Sequence, residues 1–127
     1  GDIICFGLDN IPDKMIHADE LVKLVEQCKG ACIAAHPFRL NNRGLKDKTR
    51  DVKGIHAIEV LNGNTISENN EKARKLALNL KLPAVGGSDA HTIEKIGVYA
   101  TKFTDKIENE QNLINALRKG RVKPWKK

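Results

Sequence analysis

Ala31-Cys32-Ile33-Ala34-Ala35, running straight into His36-Pro37-Phe38-Arg39, is the stretch on which the fold turns. Five consecutive apolar residues with no polar alternation read as a strand buried on both faces, since a strand with one wet face would alternate. Just upstream, Leu21, Leu24, Val25 and Cys28 recur at three- and four-residue spacing, which predicts an amphipathic helix over about 18–29, and Gly30 stands where a helix stop belongs. Before that helix, residues 3–8 form a short β-prone run closed by the polar turn at 9–13. Downstream the order repeats: a strand over 55–61, a helix over about 67–80, a strand over 84–86, a strand near 96–101 and a helix near 108–119. Buried strands alternating with helices predict an α/β chain whose parallel sheet is covered on both faces. The connection over roughly 37–53 is the one loop long enough to suggest function.

Composition agrees with a single packed domain. The chain has 127 residues, 40% hydrophobic and 30% charged, enough apolar material for a core and too much for disorder. No apolar run approaches the roughly 18 residues that span a bilayer, and residues 1–6 lack the basic-then-apolar order of a signal peptide, so a cytoplasmic, membrane-free protein is expected. Three cysteines, Cys5, Cys28 and Cys32, do not suggest a disulfide framework. Cys28 and Cys32 lie four apart, but with no second pair to complete a metal site they are expected to be buried, inert thiols. The net charge of +6 is concentrated in residues 118–127, where Arg118, Lys119, Arg121, Lys123, Lys126 and Lys127 meet no acid. That stretch reads as a basic tail, solvated and partly frayed. A second cluster, Arg39, Arg43, Lys46, Lys48, Arg50 and Lys53, opposed by Asp47 and Asp51, lies in the long loop, and both clusters could attract phosphate or nucleic acid.

In parallel α/β folds ligands collect beyond the carboxyl ends of the strands. The first buried strand ends in His36-Pro37-Phe38-Arg39; the next carries Glu59 and ends in Asn62-Gly63-Asn64; the third ends in Gly87-Ser88-Asp89-Ala90-His91. Asp89 and His91, two apart, can share one side of an extended segment and could hold a divalent ion such as Zn, Mn or Fe. An ion there could generate a hydroxide nucleophile and neutralise a phosphate. The alternative is that Asp89 caps a helix and His91 is a surface residue.

The runs Ala35-His36-Pro37-Phe38-Arg39, Ile58-Glu59-Val60-Leu61-Asn62 and Gly86-Gly87-Ser88-Asp89-Ala90-His91, followed by Ile96-Gly97 and Thr101, resemble the later motifs of the PHP superfamily, the polymerase and histidinol phosphatase domain. The resemblance implies the later half of a distorted (β/α)7 barrel that binds up to three divalent metals and hydrolyses phosphoesters. By position it implies His36, Asp89 and His91 as metal ligands, with Glu59 as a further one. It implies Arg39 and Asp89 as catalytic residues, and Arg39, Asn62 and Ser88 as contacts to the substrate. A guanidinium suits a phosphate because it can pair with two oxygens at once. The family's opening His-x-His and Gly-x-Glu motifs have no counterpart among His17, His36, His56 and His91, and His17 and His56 read as structural. A full barrel needs about 250 residues, so residues 1–127 read as one partial domain that is inactive alone. The expected partner is a phosphorylated small molecule, a nucleotide or a nucleic-acid end, with self-association through the incomplete barrel. The competing reading is a nucleic-acid or partner-binding module with a degenerate metal site. Against it stands an aromatic content of 4%, with Phe38 and Trp125 the candidates for stacking beside basic residues.

Overall fold

The computed structural model describes residues 1–40 and 42–127. Its first sheet is four-stranded, in the order β1 (Ile3–Phe6), β2 (Ala31–Ala34), β3 (Ala57–Asn62) and β4 (Ala84–Gly87). β2, β3 and β4 are parallel, as continuous apolar strands require. Helix α1 (Ala18–Gln27) precedes β2 and helix α2 (Ser67–Leu80) joins β3 to β4. After β4 come β5 (Tyr99–Phe103), helix α3 (Glu110–Arg118) and β6 (Val122–Lys126).

Side-chain alternation sorts β2 and β3 onto two cores. Cys32, Ala34, Ile58 and Val60 face one side with Val22 and Val25 of α1 and Ala73, Leu76 and Ala77 of α2. Ala31, Ile33, Ala57 and Val85 face the other with Ile114 and Leu117 of α3. Each fully buried Ile58, Leu76 or Leu117 contributes about 2 kcal/mol of apolar burial. The interruption of α1 also differs in detail from its expected form. Lys29, not Gly30, takes the left-handed conformation, at φ 54°. Gly30 is needed for another reason: a Cβ there would fall against the Phe6 carbonyl of β1.

Several expectations are corrected. β1 runs antiparallel to β2, pairing Ile3 with Ala34 and Phe6 with Ala31. Because the end of β1 therefore lies beside the start of β2, residues 7–30 leave and return to the same edge of the sheet, a path that α1 covers as one arm of the excursion. The last two strands form an antiparallel ribbon, β5 on β6, so parallel strands do not alternate with helices to the end of the chain. The paired strands make an open sheet and a ribbon, which is a mixed α/β fold and not a demonstrated barrel. Residues 118–127 are not a frayed tail: Arg118 closes α3, and Val122 and Pro124 are half-buried within β6. Cys28 is exposed, Cys5 half-buried and only Cys32 buried. The long loop contains a short 3-10 turn at Lys46–Arg50 and includes position 41, which lies outside the described residues. Among the described residues no helix is long and apolar enough to cross a membrane.

Candidate functional site

Three strand ends meet at one edge of the sheet and line an open groove of about 850 Å³ whose walls include Asp2, His36, Glu59, Asn62, Gly87 and Asp89. Position follows from topology: in a parallel trio all carboxyl ends emerge together. A local irregularity then sets the side chains. The register of β3 on β4 steps from Glu59–Val85 to Leu61–Gly86, a bulge that gives β3 one extra residue. In a regular strand Glu59 and Asn62, three apart, would face opposite sides. The bulge re-aims them, and the Asn62 Nδ2 amide donates to Glu59 Oε2 at 3.1 Å.

Asn62 is wholly buried and is the hub of the site. Its Nδ2 also donates to Asp89 Oδ2 at 3.2 Å, while its Oδ1 accepts from the Asn64 N–H at 3.0 Å and the Thr65 hydroxyl at 2.9 Å. Glu59 Oε2 accepts in addition from the His36 N–H at 2.7 Å. Glu59 Oε1 lies so close to β4 that a Cβ on Gly87 would come within 2.6 Å of it, which explains glycine there. Burial raises the Glu59 carboxyl to about 7, with the Asp89 charge pushing the same way and the donors from His36 and Asn62 and the Arg39 charge opposing. Glu59 therefore changes protonation near neutrality and can hold or release a proton.

Arg39 Nη1 donates to Asp89 Oδ2 at 2.6 Å, so the two residues expected to do the chemistry meet across fifty positions of sequence. His36 and Asp89 both sit at positive φ, 28° and 46°, a conformation that costs a residue with a Cβ about 1 kcal/mol or more. His36 Nε2 stands 3.6 Å from Asp2 Oδ2, which is also paired with Arg43 Nε at 2.9 Å. Asp2 escaped notice in the sequence because only antiparallel pairing of β1 brings it beside His36.

His91 is at the rim. Its side chain is 70% exposed, with Nδ1 2.9 Å from both Asn64 Nδ2 and the Asp89 carbonyl and 4.0 Å from Asp89 Oδ1. Ser88 is half-buried between Gly87 and Asp89, and the groove is lined by its neighbours.

The residues fit a divalent cation in chemistry and only in part in arrangement. Imidazole and three carboxylates line one groove, and the buried His36 Nδ1 has no hydrogen-bond partner among the described residues. Asp89 Oδ2, however, is taken by Arg39 and Asn62, and no three His, Cys, Asp or Glu of the described residues are gathered closely enough to hold an ion.

Comparison with known proteins adds family context. A family model described as PHP-associated matches residues 67–122, from α2 through the start of β6. No curated protein matches the chain. Among solved structures, PsfC from Pseudomonas syringae superposes with a TM-score of 0.68 at 24% identity, over 87% of this chain and 46% of that one. A Bifidobacterium adolescentis protein described as a "putative metal-dependent phosphoesterase" superposes with a TM-score of 0.56 at 23% identity, over 84% of this chain and 38% of that one. The chain thus spans less than half the length of either, and the likeness is one of fold. Over residues 67–122, then, the chain is similar to the PHP-associated family.

Proposed function

We propose that this chain forms the later part of a distorted (β/α)7 barrel and contributes one wall of the active site of a metal-dependent phosphoester hydrolase. The observation that carries the reading is the convergence of Arg39, Glu59, Asn62 and Asp89 through direct hydrogen bonds at the carboxyl ends of parallel strands. His36 and Asp89, together with further donors, would hold a divalent ion such as Zn, Mn or Fe, which would supply Lewis acidity and positive charge.

The chain's own groups supply the rest. Arg39, bonded to the groove residue Asp89, presents a guanidinium that an incoming phosphate oxygen can take from it, and Arg43 adds positive charge to the groove itself. Asn62 holds the Glu59 and Asp89 carboxylates in place with one amide nitrogen. Glu59, titrating near neutrality, accepts a proton from a nucleophilic water or returns one to the leaving alkoxide. The substrate is a phosphate monoester, a nucleotide or a nucleic-acid end.

The complete protein, supplied with Mn or Zn, should hydrolyse a generic phosphoester, and Asp89→Ala should lower turnover by about 100-fold or more. Unchanged turnover in that variant overturns the assignment of the site.

A second reading rests on the β5–β6 ribbon, where Lys102 and Lys123 are directly paired, both exposed, and the next exposed position on β6 is Trp125. Like charges face to face destabilise a ribbon by a few tenths of a kcal/mol, a penalty that a bound polyanion would remove. Retention on single-stranded nucleic acid that weakens steeply with salt and is lost in the Lys102→Ala, Lys123→Ala double variant supports this role; equal retention by the variant excludes it.

A further inference from the structure

Cys5 and Cys32 are directly opposed in the β1–β2 register, 27 positions apart in sequence, with their sulfurs 3.9 Å from each other. The type of pair can be read from the backbone. Cys32 donates its N–H to His56 Nδ1 at 3.1 Å and accepts the His56 N–H at its carbonyl at 2.9 Å, so both of its main-chain groups point toward the β3 side. Its neighbours on β2 face β1 instead, as Ala35 does in donating to the Asp2 carbonyl at 3.2 Å. Cys5 and Cys32 therefore form the narrow, non-hydrogen-bonded kind of antiparallel pair, in which Cα atoms stand about 4.5 Å apart and side chains come closest. That spacing lies inside the range of about 4.4–6.8 Å that a disulfide accepts, so the bond can close by side-chain rotation without moving the strands.

We propose that Cys5 and Cys32 are an oxidisable pair that closes into a cross-strand disulfide when the protein meets a hydroperoxide. Cys5 is the attacking thiol, because it is half-buried on an edge strand whereas Cys32 is fully buried. The hydrogen bond with Cys32 holds the Cys5 thiol below its ordinary pKa, and the same contact together with burial pushes Cys32 up. The Cys5 thiolate attacks one peroxide oxygen and the O–O bond breaks. Hydrogen peroxide releases hydroxide, which leaves as water after taking a proton, and Cys5 becomes the sulfenic acid. The Cys32 sulfur then displaces the hydroxyl from Cys5, forming the S–S bond as a second water leaves with the Cys32 proton. Two thiols lose two electrons, and one peroxide becomes two waters.

The bond would tie β1, an edge strand paired with β2, into the sheet, and would hold Asp2 beside His36. It lies on the core face and takes no part in the hydrolytic site, so it stands or falls independently of the proposed phosphoesterase role.

The test uses the chain with its exposed third thiol removed, Cys28→Ser, treated with hydrogen peroxide under native conditions. The expected product is a monomer lighter by two hydrogen atoms, whose non-reducing peptide map joins the Cys5 and Cys32 peptides. Its thermal midpoint should rise by on the order of 10 °C and return with dithiothreitol. The control Cys28→Ser, Cys5→Ser should show no such mass change. Oxygenated Cys5 beside a Cys32 that still alkylates after unfolding would overturn the proposal, as would a disulfide-linked dimer or unchanged thiols.

Discussion

The two ends of the parallel sheet treat their polar groups in opposite ways. At the amino ends, Arg118 of α3 donates two bonds to Glu26 of α1, at 2.8 and 3.0 Å, and a third to the Gly30 carbonyl at 2.8 Å. His56 accepts from Cys32 and lies 3.8 Å from the same Glu26. Arg118 lowers the Glu26 carboxyl and Glu26 raises Arg118, the mutual signature of a satisfied ion pair. At the carboxyl ends, by contrast, a buried imidazole nitrogen lacks a partner among the described residues and a buried glutamate is pushed to about 7. One sheet supports both ends, yet the unpartnered nitrogen and the raised glutamate lie where several strand ends converge, which is where under-satisfied groups collect in functional sites.

The comparison breaks hardest at Asn62. Asn62→Leu keeps approximate volume but removes both donors and the acceptor that join Glu59, Asp89, Asn64 and Thr65. Two carboxylates would then lose their common donor, and buried partners would be left unpaired. A loss of about 3 kcal/mol or more is expected in urea denaturation, the largest of these effects. A loss under about 1 kcal/mol would mean that the network is loosely coupled and that the contrast between the two ends is overstated.

Arg118→Ala probes the opposite end and should do less. Its side chain is one-third exposed, so solvent already screens the Glu26 pair, and the bond to the Gly30 carbonyl is the better protected part. About 1 kcal/mol is expected from the same measurement, with no change in phosphoester turnover of the complete protein. A large fall in turnover would show that the helical clamp and the groove are coupled.

The groove was legible from sequence to the extent that it depends on strand ends. His36, Asn62 and Asp89 each follow or close an apolar run that in β3 also carries Glu59, and parallel pairing alone brings such residues together. What stayed hidden depends on partners that local pattern does not name. The run at residues 3–6 carries no direction, so neither antiparallel β1 nor the placement of Asp2 could be read from it. Residues 122–125 alternate half-buried and exposed, but Pro124 and the two lysines of residues 122–126 gave the segment the look of a tail. The Arg39–Asp89 and Arg118–Glu26 pairs span fifty and ninety-two positions, beyond any spacing rule. The β3 bulge is likewise invisible in composition, although it decides which face Asn62 occupies.

The smallest expected effect concerns pH at the satisfied end. His56 accepts the Cys32 N–H at Nδ1, which a protonated imidazole cannot do. Burial holds its pKa below the ordinary value, the Arg118 cation adds to that, and Glu26 opposes. The folded chain therefore binds fewer protons at His56 than the unfolded chain does. Its contribution to stability is complete above the ordinary value of 6.5 and is lost as pH falls through the lower folded value. The His56 contribution to the thermal midpoint should drop between about pH 7.5 and about pH 5 by less than the midpoint drops for Arg118→Ala. His56→Gln, which keeps an acceptor for Cys32 but cannot titrate, should flatten that slope. Because Glu59 titrates in both proteins and in the opposite sense, the difference between wild type and variant isolates His56. Parallel slopes for the two would show that protonating His56 leaves the clamp intact, and that the amino end tolerates an unsatisfied group as readily as the groove does.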